Sequence, residues 1–483
     1  MKDDLIKILK IALNNIGNEN DIDLSNKKIS IQENKEKDHG DYASNLAMVI
    51  AKDLSQPPKL VAEKIVSFLP LEPWIERIDI AEPGFINFFL KQDTHNKILL
   101  EIDESRQEFG KNKSGNGDRV LVEYVSSNPT GPLHVGHGRG AVFGSVLSSL
   151  LRAVGYEVDE EYYVNDEGRQ MNILTISTWL RYLQASGLKL EFSKKGYQGS
   201  YVEKIATNLL KEKKEKYILR ENKSELQELL QAQETEEDLD RLIEWGKLFL
   251  EGNFDEIRQF SLASIMSSIK EDLRSFSVNH NLWFNESTMY LNKEGAESSI
   301  DKSIRLLDEA SFLYEKEDAL WFKSTEFGDD KDRVVKRANG DNTYFASDIS
   351  YHLNKYERGY KRIINVWGAD HHGYIPRVSA AMEALGKTKE QLEVVFIQFA
   401  NLLRKGKKIS MSTRGGEFIS LIALIKEVSP EAARFFYINR KADQHLDFDL
   451  ELAKSQTKDN PLYYIQYAHA RICSVFETLK KEE

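Results

Sequence analysis

Two histidines three residues apart, His134 and His137, with Gly136 between them, close the Gly/Pro-rich run Asn128-Pro-Thr-Gly-Pro-Leu-His-Val-Gly-His137. The run lies between the β-branched stretch Arg119-Val-Leu-Val-Glu-Tyr-Val125 and a helical pattern over 141–154. A loop leading from a strand into a helix gathers unpaired backbone N–H groups, and the helix dipole favours negative charge there. Imidazoles in that place can donate to phosphate oxygens and stabilise a phosphoryl centre under attack without any covalent step. Gly136 is expected to remove a side chain where a flat nucleotide base would collide. One structural histidine, or half of a zinc site, are the alternatives. The zinc reading lacks both the helix-borne glutamate of zinc hydrolases and a nearby third ligand.

A second group of candidates is Asp370-His371-His372, directly after the apolar run Arg362-Ile-Ile-Asn-Val-Trp-Gly368. In open α/β sheets, ligands gather at the carboxyl ends of the strands. Gly368, Asp370 and His371 therefore read as the ribose and adenine side of a nucleotide site, not as metal ligands.

The elements that must position these groups are strand–loop–helix units. The first runs through 119–125, a Gly/Pro loop at 127–137 and a helix ended by Gly155, with a further strand over 157–164. The second joins 362–368 to a helix reaching Leu385. Two such units so far apart predict one Rossmann-like parallel sheet, over 113–405, with a helical insertion at about 187–300. Residues 1–112 read as a small separate α/β domain containing His39-Gly-Asp-Tyr-Ala-Ser-Asn45, a turn into a helix, and a strand near 83–90. Gly110 to Asp118 is polar, Gly-rich and reads as a linker. A strand and a turn centred on Gly406 open a connective region over 406–457, where Ser429-Pro430 marks a helix start. Residues 458–483 read as the start of another helix.

The bulk numbers agree. A chain of 483 residues is long enough for about three domains. With 41% hydrophobic and 30% charged residues it is an ordinary globular chain. It lacks the ~20 uncharged apolar residues needed to span a bilayer. The N-terminus mixes both charge signs and reads as an amphipathic helix, not a signal peptide. The single cysteine, Cys473, allows no intramolecular disulfide, so a cytoplasmic location is expected. The net charge of −11 is unlike that of a basic nucleic-acid binder, although a local basic track fits an acidic body. The charge runs at 211–216 and 234–240 read as solvated helix faces.

His134-Val-Gly-His137 resembles the "HIGH" signature of class I aminoacyl-tRNA synthetases and related adenylyl-transfer enzymes. The run Val122-Glu-Tyr-Val-Ser-Ser-Asn-Pro-Thr-Gly-Pro-Leu-His-Val-Gly-His-Gly-Arg139 resembles the arginine-specific family in particular. So do 163–170, 319–334, Thr343-Tyr-Phe-Ala-Ser-Asp348, Gly368-Ala-Asp-His-His-Gly373 and 463–472, and the likeness extends from about residue 39 to the end. The resemblance implies activation of L-arginine with ATP and Mg²⁺, then transfer to the 3′ adenosine of tRNA(Arg), by a monomer with no membrane association. A silent tRNA-binding paralogue and another nucleotidyltransferase of the same superfamily are the rival readings.

Within that resemblance the residues take roles. A planar guanidinium pairs best with carboxylates in a bidentate fork. Glu123 and Asp348, with Asn128, Tyr344 and His372, match the family's arginine pocket. Pro129, Thr130, Gly131, His134, His137, Gly368, Asp370, His371, Met411 and Ser412 match the ATP side. His39, Asp41, Tyr42 and Asn45 match a tRNA-contacting N-terminal domain. The family's Lys-Met-Ser-Lys-Ser-type loop is altered. Ser410-Met-Ser-Thr-Arg414 loses both lysines, and a shifted alignment at Lys408 keeps one. Arg414, Lys407 or Lys408 is expected to supply the cation for leaving pyrophosphate. Family members continue into an anticodon-binding bundle, so the helix after Asn460 is expected to expose Leu462, Ile465 and Ile472, with weak tRNA affinity and poor stability as consequences.

Overall fold

The computed structural model describes residues 1–231, 235–291, 297–409 and 419–482. Backbone contacts divide the chain into two compact units, Met1–Lys111 and Asn112–Glu483.

In the first unit, the helix Lys2–Asn20 buries Leu5, Ile8, Leu9, Ala12, Leu13 and Ile16, a stripe at helical spacing. The stripe packs with the helix Pro58–Ser67 and with Ile86 and Phe88 of an antiparallel sheet. The sheet has four strands in the order Ile31–Glu33, Tyr42–Ser44, Phe85–Leu90, Ile75–Ala81. The segment 39–45 is therefore a 3₁₀ turn and a three-residue strand before its helix, not a turn running straight into one.

The second unit is organised by five parallel strands: β1 Arg119–Glu123, β2 Glu157–Val164, β3 Leu282–Asn285, β4 Arg362–Gly368 and β5 Leu392–Ile397. Their spatial order is β5-β4-β1-β2-β3, so the winding reverses between β1 and β4. Val120, Leu121 and Val122 are all fully buried, as a strand covered on both faces requires. Alternate residues serve opposite faces. Val120 and Val122 enter one core with the helix Val135–Ala153, and Leu121 enters the other with the helix Tyr344–Glu357.

Two expectations change here. The stretch assigned to the insertion includes β3, whose four residues Leu-Trp-Phe-Asn are too short to announce a strand. The insertion's helices, Ser200–Lys213, Lys223–Gln231, Glu236–Leu250 and Gly252–Ser275, close over their own core around Trp179. The Gly-rich segment read as a linker is hydrogen-bonded at three points to the turn after the helix Val135–Ala153. Asn112 N, Gly115 N and Gly117 N donate to Ala153 O, Val154 O and Gly155 O at 3.0, 2.7 and 2.9 Å.

A hairpin of Ala400–Arg404 and Lys407–Lys408 turns through Lys405 and Gly406, both at positive φ, and pairs onward with Leu446–Asp449. The helix Pro461–Glu482 exposes Ile465 and Ile472, while Leu462 is half-buried against the main core. No helix among the described residues is long and apolar enough to cross a membrane.

Candidate active site

The site begins where β1 ends. Val125 and Ser126 both adopt positive φ, 71° and 40°, which is costly for side-chain-bearing residues and clusters at functional sites. Neighbouring groups hold the turn. Tyr163 N donates to Ser126 Oγ at 3.1 Å, and Ser126 Oγ donates to Glu123 Oε1 at 2.8 Å. Tyr162 OH donates to Ser127 O at 2.9 Å. The loop then passes under the insertion, where Tyr201 OH donates to Thr130 O at 2.7 Å.

The helix starts earlier than its apolar pattern suggests, at Val135, with His134 as its cap. Gly136 N donates to His134 Nδ1 at 3.1 Å, and His134 N donates to His137 Nδ1 at 3.2 Å. A nitrogen that accepts from a backbone N–H carries no proton of its own, so each neutral ring keeps its hydrogen on Nε2. Burial lowers both pKa values, with His137 at about 3, where the neighbouring His134 adds a smaller repulsion. The pair therefore presents neutral N–H donors, not cations. The rings stack with centroids 3.8 Å apart. A Cβ on Gly136 would come within 2.8 Å of the His134 ring, so glycine makes room for the capping imidazole.

A later segment is laced to this start. Val135 N donates to Ile419 O at 3.1 Å and Leu421 N to Leu133 O at 2.8 Å. Arg139, almost wholly buried, donates to the carbonyls of Gln398, Lys441 and Gln444 at 2.6–2.8 Å, which fixes the chain leaving β5.

A cavity of about 830 Å³ opens above the carboxyl ends of β1 and β4. Of the residues singled out in the sequence, Asn128, Thr130, Gly131, His134, Gly136, His137, Gly368, Asp370 and His371 line it. Pro129, Glu123, Tyr344, Asp348, His372 and Lys408 do not. Pro129 is buried in the loop, and His372 stacks on Phe396 with centroids 3.6 Å apart. Lys407 and Lys408 are exposed on their hairpin. Met411, Ser412 and Arg414 lie outside the described residues. Among the described residues, the Lys and Arg side chains on the cavity wall are Arg169, Lys194 and Lys195. Arg169 is committed to Glu236 and Asp240, while Lys195 approaches Glu236 at 3.8 Å. Lys194 and Lys195 belong to the insertion, and their sequence setting gave no signal beyond adjacent lysines.

Glu123 and Asp348 meet at a more enclosed focus, with a third carboxylate that sequence reasoning missed. Glu286 is buried in a 3₁₀ turn after β3 and accepts from Tyr290 OH at 3.2 Å. Burial, then the negative charges of Glu286 and Glu123, push Asp348 up to about 7, against weaker help from Arg377 and Lys355. Burial also raises Glu286. Asn165 connects this focus to the cavity. With its amide nitrogen turned to the carboxylate it donates to Glu286 Oε2 at 2.7 Å, and its side chain lies 3.1 Å from that of Asn128. Tyr344 is exposed nearby, its hydroxyl 3.4 Å from the position a Cβ on Gly168 would take.

In the first unit the four expected tRNA-facing residues differ in availability. Asp41 accepts from Leu90 N at 2.7 Å and ties two strands together. Asn45 buries Oδ1 without a hydrogen bond, Tyr42 is half-buried and His39 is exposed.

A parallel sheet reversing at β1/β4, with a capped His-x-x-His helix start beneath the reversal, defines the catalytic domain of a class I aminoacyl-tRNA synthetase. Residues 3–90 match the family model of the arginyl-tRNA synthetase N-terminal domain, and residues 100–455 that of the class I (R) catalytic domain. An arginine–tRNA ligase of Legionella pneumophila strain Paris is 47% identical over 482 residues, covering 98% of this chain and 80% of the relative. One from Nitrosomonas europaea is 48% identical over 443 residues, covering 91% and 75%. The Thermus thermophilus arginyl-tRNA synthetase structure shares the fold, with a TM-score of 0.68 at 22% identity over 99% of this chain and 82% of that one. The chain belongs to the arginyl-tRNA synthetase family.

Proposed function

We propose that the chain activates L-arginine with ATP and esterifies it to tRNA(Arg), with three carboxylates selecting the side chain and two neutral imidazoles holding the phosphate. The convergence of Glu123, Glu286 and Asp348 carries the reading. Burial and the charges of Glu286 and Glu123 raise the proton affinity of Asp348, and burial raises that of Glu286, so the place calls for a cation. A guanidinium answers with a planar fork of donors, which an ammonium cannot match.

In the first step the arginine carboxylate attacks the α-phosphorus of MgATP in line, forming the mixed anhydride arginyl-adenylate as the bond to pyrophosphate breaks. His134 and His137 donate from Nε2 to the phosphoryl oxygens as charge shifts on to them. Asn128 and Tyr344 orient the amino acid at the cavity edge, and His372 supports that wall through Phe396. Pro129, Thr130 and Gly131 shape the phosphate loop, and Gly368, Asp370 and His371 take the adenosine. Mg²⁺ arrives with the nucleotide, held by its phosphates. Lys194 and Lys195 face the leaving pyrophosphate from the insertion, in company with a cation from the region of Lys407, Lys408 and Arg414. In the second step a ribose hydroxyl of the terminal tRNA adenosine attacks the carbonyl carbon, and AMP leaves. His39 and Tyr42 offer the tRNA an exposed edge, with Asp41 and Asn45 shaping it.

Charging of tRNA with radiolabelled arginine, set against the other amino acids and against His134→Ala, tests this. Arginine alone should be transferred, and by the wild-type chain. Transfer of a different amino acid would overturn the substrate assignment.

A further inference from the structure

The helix that carries Tyr344 and Asp348 also carries Lys355, seven residues beyond Asp348 and so on the same face. The Lys355 side chain has no exposed surface. A buried ammonium needs acceptors and a counter-charge. It finds Glu123 Oε2, in an ion pair, and Asn365 Oδ1 at 2.7 Å, with the Tyr351 ring covering it at 4.2 Å. Asn365 is equally buried, and its Nδ2 faces His352 Nε2 at 2.9 Å. His352 Nδ1 meets the Asp348 carbonyl oxygen at 2.8 Å. A carbonyl only accepts, so His352 holds its proton on Nδ1, and Nε2 is free to accept from Asn365. Each bond of the series then pairs one donor with one acceptor. At the other end, Glu123 Oε1 accepts from Ser126 Oγ at 2.8 Å.

A continuous internal chain thus runs from Asp348 through His352, Asn365, Lys355 and Glu123 to the turn at Ser126. It joins the Glu123 carboxylate to the backbone of the helix that bears Asp348.

We propose that Lys355 is a positioning residue for arginine recognition: its ammonium fixes the direction of the Glu123 carboxylate and ties it to the helix bearing Asp348. The inference rests on the arginine reading given above. Lys355 offsets a repulsion that Asp348 and Glu286 would otherwise impose on Glu123. Held by one donor on each oxygen, the carboxylate keeps a further lone pair on both for a substrate fork. A lysine suits this task better than an arginine, whose own bidentate fork would fill the carboxylate edge that the substrate needs.

The test is steady-state charging kinetics of Lys355→Met, Glu123→Gln and the double variant, with Asp348→Asn as reference and thermal melting beside each. Lys355→Met should raise KM for arginine about 10- to 100-fold, the value of a charged hydrogen bond, while KM for ATP stays within about threefold. The double variant should be no worse for arginine than the poorer single one, because both act through one group. If Lys355→Met melts too early to assay, the double variant, which leaves no lone buried charge, is compared with Glu123→Gln: an equal KM for arginine is expected, and a further rise would overturn the proposal. An unchanged KM for arginine, or equal rises for arginine and ATP, would overturn the proposal. Asp348→Asn separates the two ideas. If it too leaves KM for arginine unchanged, the arginine reading itself has failed. If it raises KM and Lys355→Met does not, only the role of Lys355 has.

Discussion

Asp348 should make arginine binding release a proton. In the empty site its carboxyl is pushed up to about 7 by burial and by the charges of Glu286 and Glu123. A guanidinium set between these groups cancels the repulsion and returns Asp348 toward an ordinary carboxylate value of about 4. The group is therefore raised in the free protein and lowered in the complex, so affinity is fully present above pH 7 and is lost as pH falls. Between pH 7 and about 4, affinity should fall about tenfold per pH unit. Binding at pH 5 should then be about a hundredfold weaker than at pH 8, a difference of about 2.7 kcal/mol. Calorimetric titration of arginine in buffers of different ionisation enthalpy reads the proton directly. About half a proton should leave at pH 7 and nearly one at pH 6. Asp348→Asn should bind more weakly at pH 8 and lose most of the pH dependence, with Glu286 responsible for what remains. A flat affinity from pH 8 to 5.5 with no proton released would refute the reasoning.

Because His137, held at about 3 by burial, is a neutral donor, kcat should not change between pH 6 and 8 on its account, and His137→Ala should lower it by about 10²- to 10³-fold, read by pyrophosphate exchange with tRNA present. Lys194→Ala/Lys195→Ala should raise KM for ATP several-fold and leave KM for arginine and the melting temperature unchanged. Arg139→Met strands three carbonyl acceptors and should destabilise the fold by about 2–4 kcal/mol in urea titration.

The sequence made β1 and β4 legible through β-branched runs, and those runs placed His134, His137, Gly368 and Asp370 after strand ends; β2 was legible from its place after the helix and Gly155. β3 escaped because four residues carry no period. Glu286 escaped with it, since its position follows from a strand that had not been recognised. The histidine tautomers were not legible either. They depend on a capping geometry in which each ring accepts a backbone N–H, and spacing alone suggests only two imidazoles near a phosphate. Glu123, read by itself, resembles a surface carboxylate on an edge strand. Its burial follows from the central place of β1, and its ion pair with Lys355 spans 232 residues of sequence. Pairings at that separation leave no local trace.

The lacing of Leu133 and Val135 to Leu421 and Ile419 joins places almost 300 residues apart in the chain. Any shift of that downstream strip tugs on the peptide that carries the first imidazole. A substitution around Ile419 should therefore register in the proposed phosphate handling through this backbone tie, and not through a contact of its own side chain.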